Sequence, residues 1–323
     1  MNVNPYIGHA SQICGVEEVR LVGGKGDGVR LLQLRNAAGL EMTVCADRCA
    51  DIYRLIYKGD NMGHFSASGY VAPSYYDDEG LGFLKSFTAG FLTTCGLTAV
   101  GNPCEDAGES MGLHGTIGNT PCERIWWDED GENLYIHAVI NDGTLFGRKL
   151  RMKRVITVGK AASTFKITDT IENQGDAVSP VMILYHMNMG YPLLSENAVV
   201  EIPSLSVKPR TEHSAEGLDT WAKMLPPTPG FEEQCYYHSF EKDGKASIYN
   251  PDIGKGLSIT FDAENLNYFT QWKMMGYRDY VLGLEPGNCH PDGRDVMRKD
   301  GTLKFLQPGE SVTYEVCVDL YEK

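Results

Sequence analysis

The sequence of 323 residues lacks long apolar runs, and it has few basic residues relative to acidic ones. No run approaches the roughly 18 apolar residues that a membrane-spanning helix needs. The 29 basic and 43 acidic side chains give a formal net charge of −14, which repels phosphates at long range. We therefore expect neither a membrane nor a nucleic-acid partner.

The nine cysteines form no Cys-x-x-Cys pair, and their number is odd. This spread is typical of free thiols in a reducing compartment and not of a disulfide framework. The first residues, 1–13, have neither the basic segment nor the apolar segment of a signal peptide. We therefore expect a cytoplasmic protein.

Glycine is abundant, with 36 residues, about 11% against a usual ~7%. The glycines separate short segments in which apolar and polar residues alternate with a period of two, as in half-buried strands. Segments 31–35 and 40–44 flank an Asn-Ala-Ala-Gly turn and are predicted to form a hairpin. The same pattern predicts strands at 134–140, 150–158, 163–172, 178–187, 199–202, 246–249, 257–261, 268–274, 280–284, 302–306 and 311–320.

Helical patterns are scarce, and the best candidate, 79–87, is interrupted by Gly80 and Gly82. A dozen short strands at close spacing predict an all-β protein, a large antiparallel sandwich or barrel with few short helices. The Pro-rich segment 223–230 indicates a surface loop, because the strand pattern resumes on both sides. We therefore predict a single domain over residues 1–323, with 1–30 as an N-terminal extension or the first strands.

Three local clusters carry the chemical candidates, and the first surrounds His114. Glycines 112 and 115 flank this histidine and would let a ligand or a backbone segment approach its ring. A lone histidine is more often structural than chemical, so this cluster decides nothing alone.

The second cluster follows a predicted strand. In that strand Tyr185 and Met187 share one face, while His186 and Asn188 share the other. Burial of two polar side chains in an apolar strand requires partners or a cleft. The sequence Gly-Tyr191-Pro indicates the end of the strand, where loops build sites.

The third cluster centres on Glu285, which ends an apolar strand and is followed by proline. Poor solvation should raise the pKa of this carboxyl above its usual ~4.3, so that it could accept a proton near neutral pH. A surface glutamate at a turn is the alternative interpretation.

Just upstream, the alternation places Phe269, Gln271 and Lys273 on one face of a strand and Trp272 on the other. Aromatic rings stack on sugars, and Gln and Lys can hydrogen-bond hydroxyl groups. Trp272 fits a core residue equally well.

Together the clusters resemble the aldose 1-epimerase (galactose mutarotase) superfamily, and specifically its divergent branch of uncharacterised aldose 1-epimerase-like proteins. The resemblance spans roughly residues 40 to 320 and is carried by six segments, 46–52, 90–96, 113–115, 185–192, 271–273 and 283–286. It implies a β-supersandwich with a sugar cleft on its concave face.

The resemblance also implies metal-free acid–base chemistry on a small carbohydrate, with no cofactor. Glu285 would take the proton of the anomeric hydroxyl, His186 would protonate the ring oxygen, and His114 would hydrogen-bond near them. The enzyme would be an isomerase that interconverts anomers or epimers of a free sugar or sugar derivative. Candidate substrate-binding side chains are Arg48, Asn188, Tyr191, Gln271, Trp272, Lys273, Asn288, His290 and Arg294.

The family pattern also has an arginine beside the first histidine, where this sequence has none. Arg48 or Arg294 is the expected substitute, whereas Arg210 fits a surface charge. The family mechanism further implies that Glu285 and His186 face each other across a cleft about one pyranose wide.

Two other functions stay open. A metal-dependent sugar isomerase could hold a divalent ion with His114, His186, Glu285 and His290, although no His-x-His spacing supports it. A carbohydrate-binding protein without turnover would keep the cleft, but it would not need a base such as Glu285.

Overall fold

The computed structural model describes residues 5–323, which consist mainly of antiparallel strands. The strands, in chain order β1 to β24, are Gly15–Arg20, Arg30–Arg35, Leu40–Cys45, Asp51–Tyr57, Asp60–Asn61, His64–Phe65, Ala89–Gly90, Leu92–Leu97, Cys104–Asp106, Glu109–Met111, Arg124–Glu129, Asn133–Gly143, Lys149–Gly159, Thr164–Asn173, Ser179–Met189, Val199–Glu201, Ser206–Pro209, Gln234–Ser239, Asp243–Asn250, Lys255–Asp262, Tyr268–Met275, Tyr280–Gly287, Lys304–Leu306 and Ser311–Glu322.

Helices are few and short, as the sequence predicts. The α-helices α1 and α2 are Glu212–Glu216 and Arg294–Lys299. The described part of the chain also has six 3-10 turns, at Ala10–Gln12, Gly24–Gly26, Pro73–Tyr75, Gly82–Lys85, Ile117–Asn119 and Leu218–Thr220. Within residues 5–323, no helix has the length and apolar character that crossing a bilayer requires.

Each predicted strand is present, and the hairpin of β2 and β3 forms as expected. The helix expected over 79–87 is wrong, because only Gly82–Lys85 forms a single 3-10 turn and Gly80 has a left-handed φ of 50°. Sequence alternation missed β8, since both of its faces are buried and no polar residues mark a solvent side. Of the N-terminal 30 residues, those from Gly15 to Arg20 form the first strand.

Two large sheets enclose the core. One has the order β11-β12-β13-β14-β24-β20-β19-β16, and the other has the order β17-β18-β21-β22-β15-β23 with β8 also paired to β15. Strands β1 to β5 form a third sheet. The inward residues of all three sheets join one apolar cluster, which includes Leu55, Ile156, Ile167, Met187 and Leu284. This architecture confirms the predicted all-β antiparallel fold.

The register of the second large sheet positions the candidate residues. Strand β15 pairs with β22 so that Met187 lies opposite Leu284 and Asn188 opposite Gly283. Tyr185 and Met187 point into the core, which confirms that His186 and Asn188 occupy the opposite face. That outward face of β15, β22 and β21 carries the candidate site.

A buried guanidinium lies where the three sheets meet. All five of its N–H groups are used, because Arg154 of β13 donates to both oxygens of Asp169, to Asp51 Oδ1, to Thr94 Oγ1 and to the carbonyl of Cys49, at 2.7–3.1 Å. Asp169 also accepts the hydroxyl of Tyr185 at 2.9 Å. The ion cluster therefore holds β15, and with it His186, against the other two sheets.

We expect Arg154→Met to lower the free energy of unfolding by about 3–5 kcal/mol, because it leaves two buried carboxylates without their cation. Arg151→Met on the same strand is the matched control, since Arg151 makes a surface contact to Asn141 and its loss should cost within about 0.5 kcal/mol. Urea unfolding of the three proteins measures both values. Equal midpoints for both variants would contradict the structural role of Arg154.

Candidate active site

A cavity of about 340 Å³ opens on the outward face of the second large sheet. Its polar wall is formed by His114, His186, Arg210, Glu233, Thr270 and Glu285, and its aromatic wall by Phe83, Phe87 and Trp272. A cavity of this size, apolar in part and with few convergent polar groups, is typical of a small-molecule site.

Three polar side chains form a row across neighbouring strands of this sheet. Glu285 on β22 lies opposite Thr270 on β21, and the register of β15 with β22 brings His186 to the other side of the same carboxyl. The Glu285 Oε1 and Thr270 Oγ1 atoms are buried and have no hydrogen-bond partner among the described residues. Unsatisfied buried polar atoms are rare in folded proteins, so we interpret these two as atoms that hydrogen-bond a ligand in the cavity.

Gly283 makes room for the Glu285 carboxyl. A Cβ atom at Gly283 would lie 2.1 Å from Glu285 Oε1 and 2.9 Å from the Cβ of Trp272. Any larger residue would therefore push the carboxyl out of its position. Gly283 is thus part of the site, because the position of the Glu285 carboxyl leaves no room for a side chain at residue 283.

Burial governs the protonation of Glu285 and His186, whose side chains are 2% and 7% exposed. Burial, aided by the negative charge of Glu233 and opposed by Arg210, raises the pKa of Glu285 well above its usual value. Burial lowers the pKa of His186 to about 4. Burial therefore favours the neutral form of both groups, a carboxylic acid beside an imidazole.

The Nδ1 atom of His186 is 3.3 Å from Glu285 Oε1, so the two groups lie side by side. The expectation that they face each other across a pyranose-wide cleft is wrong, because adjacent strands of one sheet carry them. A substrate must therefore approach both groups from the cavity side.

Asn188 sets the tautomer of His186. Its Nδ2 donates to the His186 carbonyl at 2.9 Å, so its Oδ1 is the acceptor that faces His186 Nδ1 at 2.7 Å. The Nδ1 atom must then carry the proton, and Nε2 keeps a free lone pair. Asn188, expected to bind substrate, instead positions His186.

His114 has the opposite tautomer. Its Nδ1 accepts the backbone N–H of Gly101 at 3.3 Å, which places the proton of the neutral ring on Nε2. Burial, together with the positive charges that His186 and Arg210 can carry, lowers the pKa of His114 well below its usual value. The residue has a left-handed φ of 62°, a strained geometry that concentrates at functional sites.

The two histidine rings are close. Their centroids are 5.6 Å apart, and the ring of Phe87 lies 5.3 Å from that of His186. Trp272 packs edge-on to His186 at 5.2 Å, and its Nε1 donates to Glu233 at 2.7 Å. The structure therefore brings His114, His186, Trp272 and Glu285 to one cavity.

Arg210 is the cation of this cavity, and its expected role as a surface charge is corrected. Its Nε donates to Asp292 Oδ1 at 3.0 Å, and its Nη2 donates to Asn102 Oδ1 and the Pro291 carbonyl at 3.1 and 2.8 Å. Sequence reasoning missed both Arg210 and Glu233, because they flank the strand pair β17–β18 and belong to no recognisable motif.

The two arginines expected to replace the missing cation have structural partners instead. Arg48 is buried and donates to the carbonyls of Gly118, Val71 and Ser86. Arg294 is bound by Asp106, with 2.7 Å between its Nε and Oδ2. Neither lines the cavity, because buried acceptors elsewhere use their donor groups.

Two other candidates point to the core face of β21. Gln271 contacts His238 Nε2 at 3.2 Å and donates to the Trp221 carbonyl at 3.0 Å. Lys273 donates to the Thr220 carbonyl at 3.1 Å, and burial lowers its pKa to about 8. Their expected contact with a sugar is corrected, since the strand alternation turns them away from Trp272.

The remaining candidates also lie outside the cavity. Asn288 hydrogen-bonds the backbone of β15 and the hydroxyl of Tyr314. Tyr191 is 73% exposed beyond the end of β15. His290 stacks on Tyr237 with ring centroids 3.7 Å apart, and burial lowers its pKa to about 4. None of the three side chains is part of the cavity wall.

Among the described residues, no group of three or more His, Cys, Asp or Glu side chains is placed to hold a metal ion. His290, one of the four ligands of the metal-dependent alternative, is not part of the cavity wall. That alternative stays a prediction without a ligand set.

Segment 108–112, Gly-Glu-Ser-Met-Gly, has the spacing of a hydrolase nucleophile motif. It lies on an exposed two-stranded hairpin, where Ser110 pairs with Glu105. The motif requires a strand followed by a sharp turn and a helix, so Ser110 is not such a nucleophile.

A family model described as "Domain of unknown function (DUF4432)" matches residues 26–320. No curated protein is significantly similar to the chain in sequence. The solved structure of a "putative aldose 1-epimerase" from Klebsiella pneumoniae is 27% identical, with a TM-score of 0.88 over 95% of this chain and 83% of that one.

More distant structures share the fold. The galactose 1-epimerase of Lactobacillus acidophilus is 12% identical, with a TM-score of 0.65 over 96% of this chain and 99% of that one. A galactose mutarotase-like protein of Clostridium acetobutylicum is 14% identical, with a TM-score of 0.66 over 97% of this chain and all of that one. These likenesses confirm the predicted galactose mutarotase-like fold and the resemblance from which it was inferred.

We expect nitrogen-15 NMR at pH 7 to show His186 protonated at Nδ1 and His114 protonated at Nε2. Asn188→Leu should abolish the Nδ1 preference of His186, because the acceptor is lost, while His114 keeps its tautomer as the internal control. The same tautomer for both rings in the unaltered protein would contradict the described hydrogen bonds.

The raised pKa of Glu285 predicts a pH-dependent stability. Above the usual carboxyl pKa of 4.5, folded Glu285 holds a proton that the unfolded chain has lost, so stability falls as pH rises. Glu285→Gln removes this loss. The free energy of unfolding of the variant minus that of the unaltered protein should therefore increase by more than about 1 kcal/mol between pH 4 and pH 8.

Urea unfolding at the two pH values measures this difference. Glu241→Gln at an exposed position controls for the change in net charge. A difference that stays constant with pH would show that Glu285 is ionised in the folded protein.

Proposed function

The chain belongs to the DUF4432 family, and we propose that it is a sugar isomerase of the aldose 1-epimerase type, which interconverts anomers by acid–base catalysis. The observation that carries the proposal is the buried pair of Glu285 and His186, 3.3 Å apart in a cavity of small-molecule size. The fold shared with aldose 1-epimerase-like structures supports it.

Anomerisation needs a proton for the ring oxygen and an acceptor for the proton of the anomeric hydroxyl. The ring opens, the bond between C1 and C2 rotates, and reversed transfers close the ring on the other face. A donor and an acceptor acting together avoid a free alkoxide, an effect worth about 10²–10⁴-fold for a single positioned group. The Glu285–His186 pair offers one of each.

The directions of the two pKa shifts support one assignment of the donor and acceptor roles. Burial favours the protonated form of Glu285, so Glu285 is the donor to the ring oxygen, and the free Nε2 of His186 is the acceptor from the anomeric hydroxyl. This reverses the roles implied by the family resemblance, while the ring oxygen still gains one proton and the anomeric hydroxyl still loses one. The pair remains neutral overall, which suits a buried site.

The other cavity residues complete the site. The Nε2–H of His114 is a donor for negative charge that develops on the anomeric oxygen, since its Nδ1 is already used. The rings of Trp272 and Phe87 offer apolar surfaces for the faces of a sugar ring. The unpartnered hydroxyl of Thr270 can bond a sugar hydroxyl beside Glu285.

Exchange NMR of anomeric protons, across a panel of aldoses, tests the proposal. The protein should accelerate exchange for at least one sugar, and Glu285→Gln should lower the rate by about 10²-fold or more. Glu201→Gln on the edge strand β16 is the matched control and should retain the rate. Saturable sugar binding without faster exchange would instead show a carbohydrate-binding protein without turnover.

A further inference from the structure

A second cavity of about 350 Å³ adjoins the catalytic one. The two share Leu84, Phe87, Glu233 and Trp272 in their walls. We name this second space the distal cavity, and its own walls are formed by residues 64 and 66–68 with Met274, Asp279 and Val281.

The strand geometry places the two spaces next to each other on one face of the sheet. On the outward face of β21, Thr270 lines the catalytic cavity, Trp272 lines both cavities and Met274 lines the distal cavity. On β22, Glu285 lines the catalytic cavity and Val281 lines the distal cavity. Four residues of strand span about 13 Å, which is longer than one pyranose ring.

The distal cavity has groups that suit a neutral sugar. The ring of His64 and the carboxylate of Asp279 line it, and neither makes a side-chain hydrogen bond within residues 5–323. Trp272 stands between the two spaces with its ring fixed by the bond from Nε1 to Glu233. Free polar groups beside a fixed aromatic ring are a typical surface for a sugar.

The charges exclude an anionic ligand from this space. Glu233 and Asp279 both line the distal cavity, and none of its described lining residues is lysine or arginine. A phosphate, sulfate or carboxylate group would meet repulsion without a compensating cation.

We propose that the substrate is a neutral reducing disaccharide, with its reducing ring beside Glu285 and His186 and its second ring in the distal cavity. This inference rests on the proposed function and names its substrate class. The second ring would stack against Trp272 and hydrogen-bond His64 and Asp279.

Anomeric exchange rates for glucose, galactose, maltose, cellobiose and lactose test the inference. We expect kcat/KM for at least one disaccharide to exceed that of its reducing-end monosaccharide by about tenfold, as one stacked ring with its hydrogen bonds allows. Met274→Trp, which fills the distal cavity, should bring this ratio close to one. Leu205→Trp, which adds the same ring at a position that is 71% exposed and lines neither cavity, is the control and should keep the ratio.

Asp279→Ala is a second variant, for the case that the tryptophan does not fit the fold, and it should lower the ratio in the same direction. Monosaccharide exchange at a rate equal to that of every disaccharide, with a ratio that no distal variant changes, would overturn the inference and leave the proposed function intact.

If the unaltered protein accelerates anomeric exchange for no sugar, the proposed function fails. Disaccharide binding then tests the role of the distal cavity. Saturation-transfer NMR should then show disaccharide binding that Met274→Trp weakens about tenfold and the exposed-site control Leu205→Trp does not. No disaccharide binding, or binding that is insensitive to Met274→Trp, would overturn the inference by itself.

Discussion

The guanidinium of Arg154 is the interaction on which the remainder of the structure depends. It lies at the junction of the three sheets, and each of its five N–H groups has an acceptor. Two of these bonds go to Asp169, and the other three go to Asp51, Thr94 and the carbonyl of Cys49. A buried ion cluster gains little net stability over apolar packing, but an incomplete one is very unfavourable. The ion cluster therefore fixes how the three sheets lie relative to one another, because all five donors are satisfied only when the sheets hold this position.

The arrangement has a direct consequence for the site. Tyr185 donates to Asp169 of this cluster, and His186 is the next residue on the opposite face of the same strand. The inner face of β15 is thus held by the ion cluster while its outer face presents the imidazole. Asn188, two residues further along that outer face, then sets which nitrogen of the imidazole carries the proton.

Neutrality is the second organising feature of the cavity. Burial acts in opposite directions on a carboxyl and an imidazole, raising the pKa of Glu285 and lowering that of His186. The pair can therefore stay buried without charge and still exchange a proton with a ligand. Charged residues occur at the walls, where Arg210 is held by Asp292 and Glu233 holds Trp272.

The sequence by itself determined most of the long strands, the all-β class, the family resemblance and the three clusters, because alternation with a period of two and short motifs are local properties of a chain. It also indicated that Glu285 is poorly solvated. Only the tertiary structure decided that Arg210 and Glu233 join the cavity, that Arg48 and Arg294 do not, and that Gln271 and Lys273 face the core. These outcomes depend on strand register and on partners 50 or more residues away, such as Trp221 for Gln271 at a separation of 50 and Asp106 for Arg294 at 188. Spacing within one segment contains no information about such partners, and so the side-by-side position of Glu285 and His186 became visible only in the folded sheet.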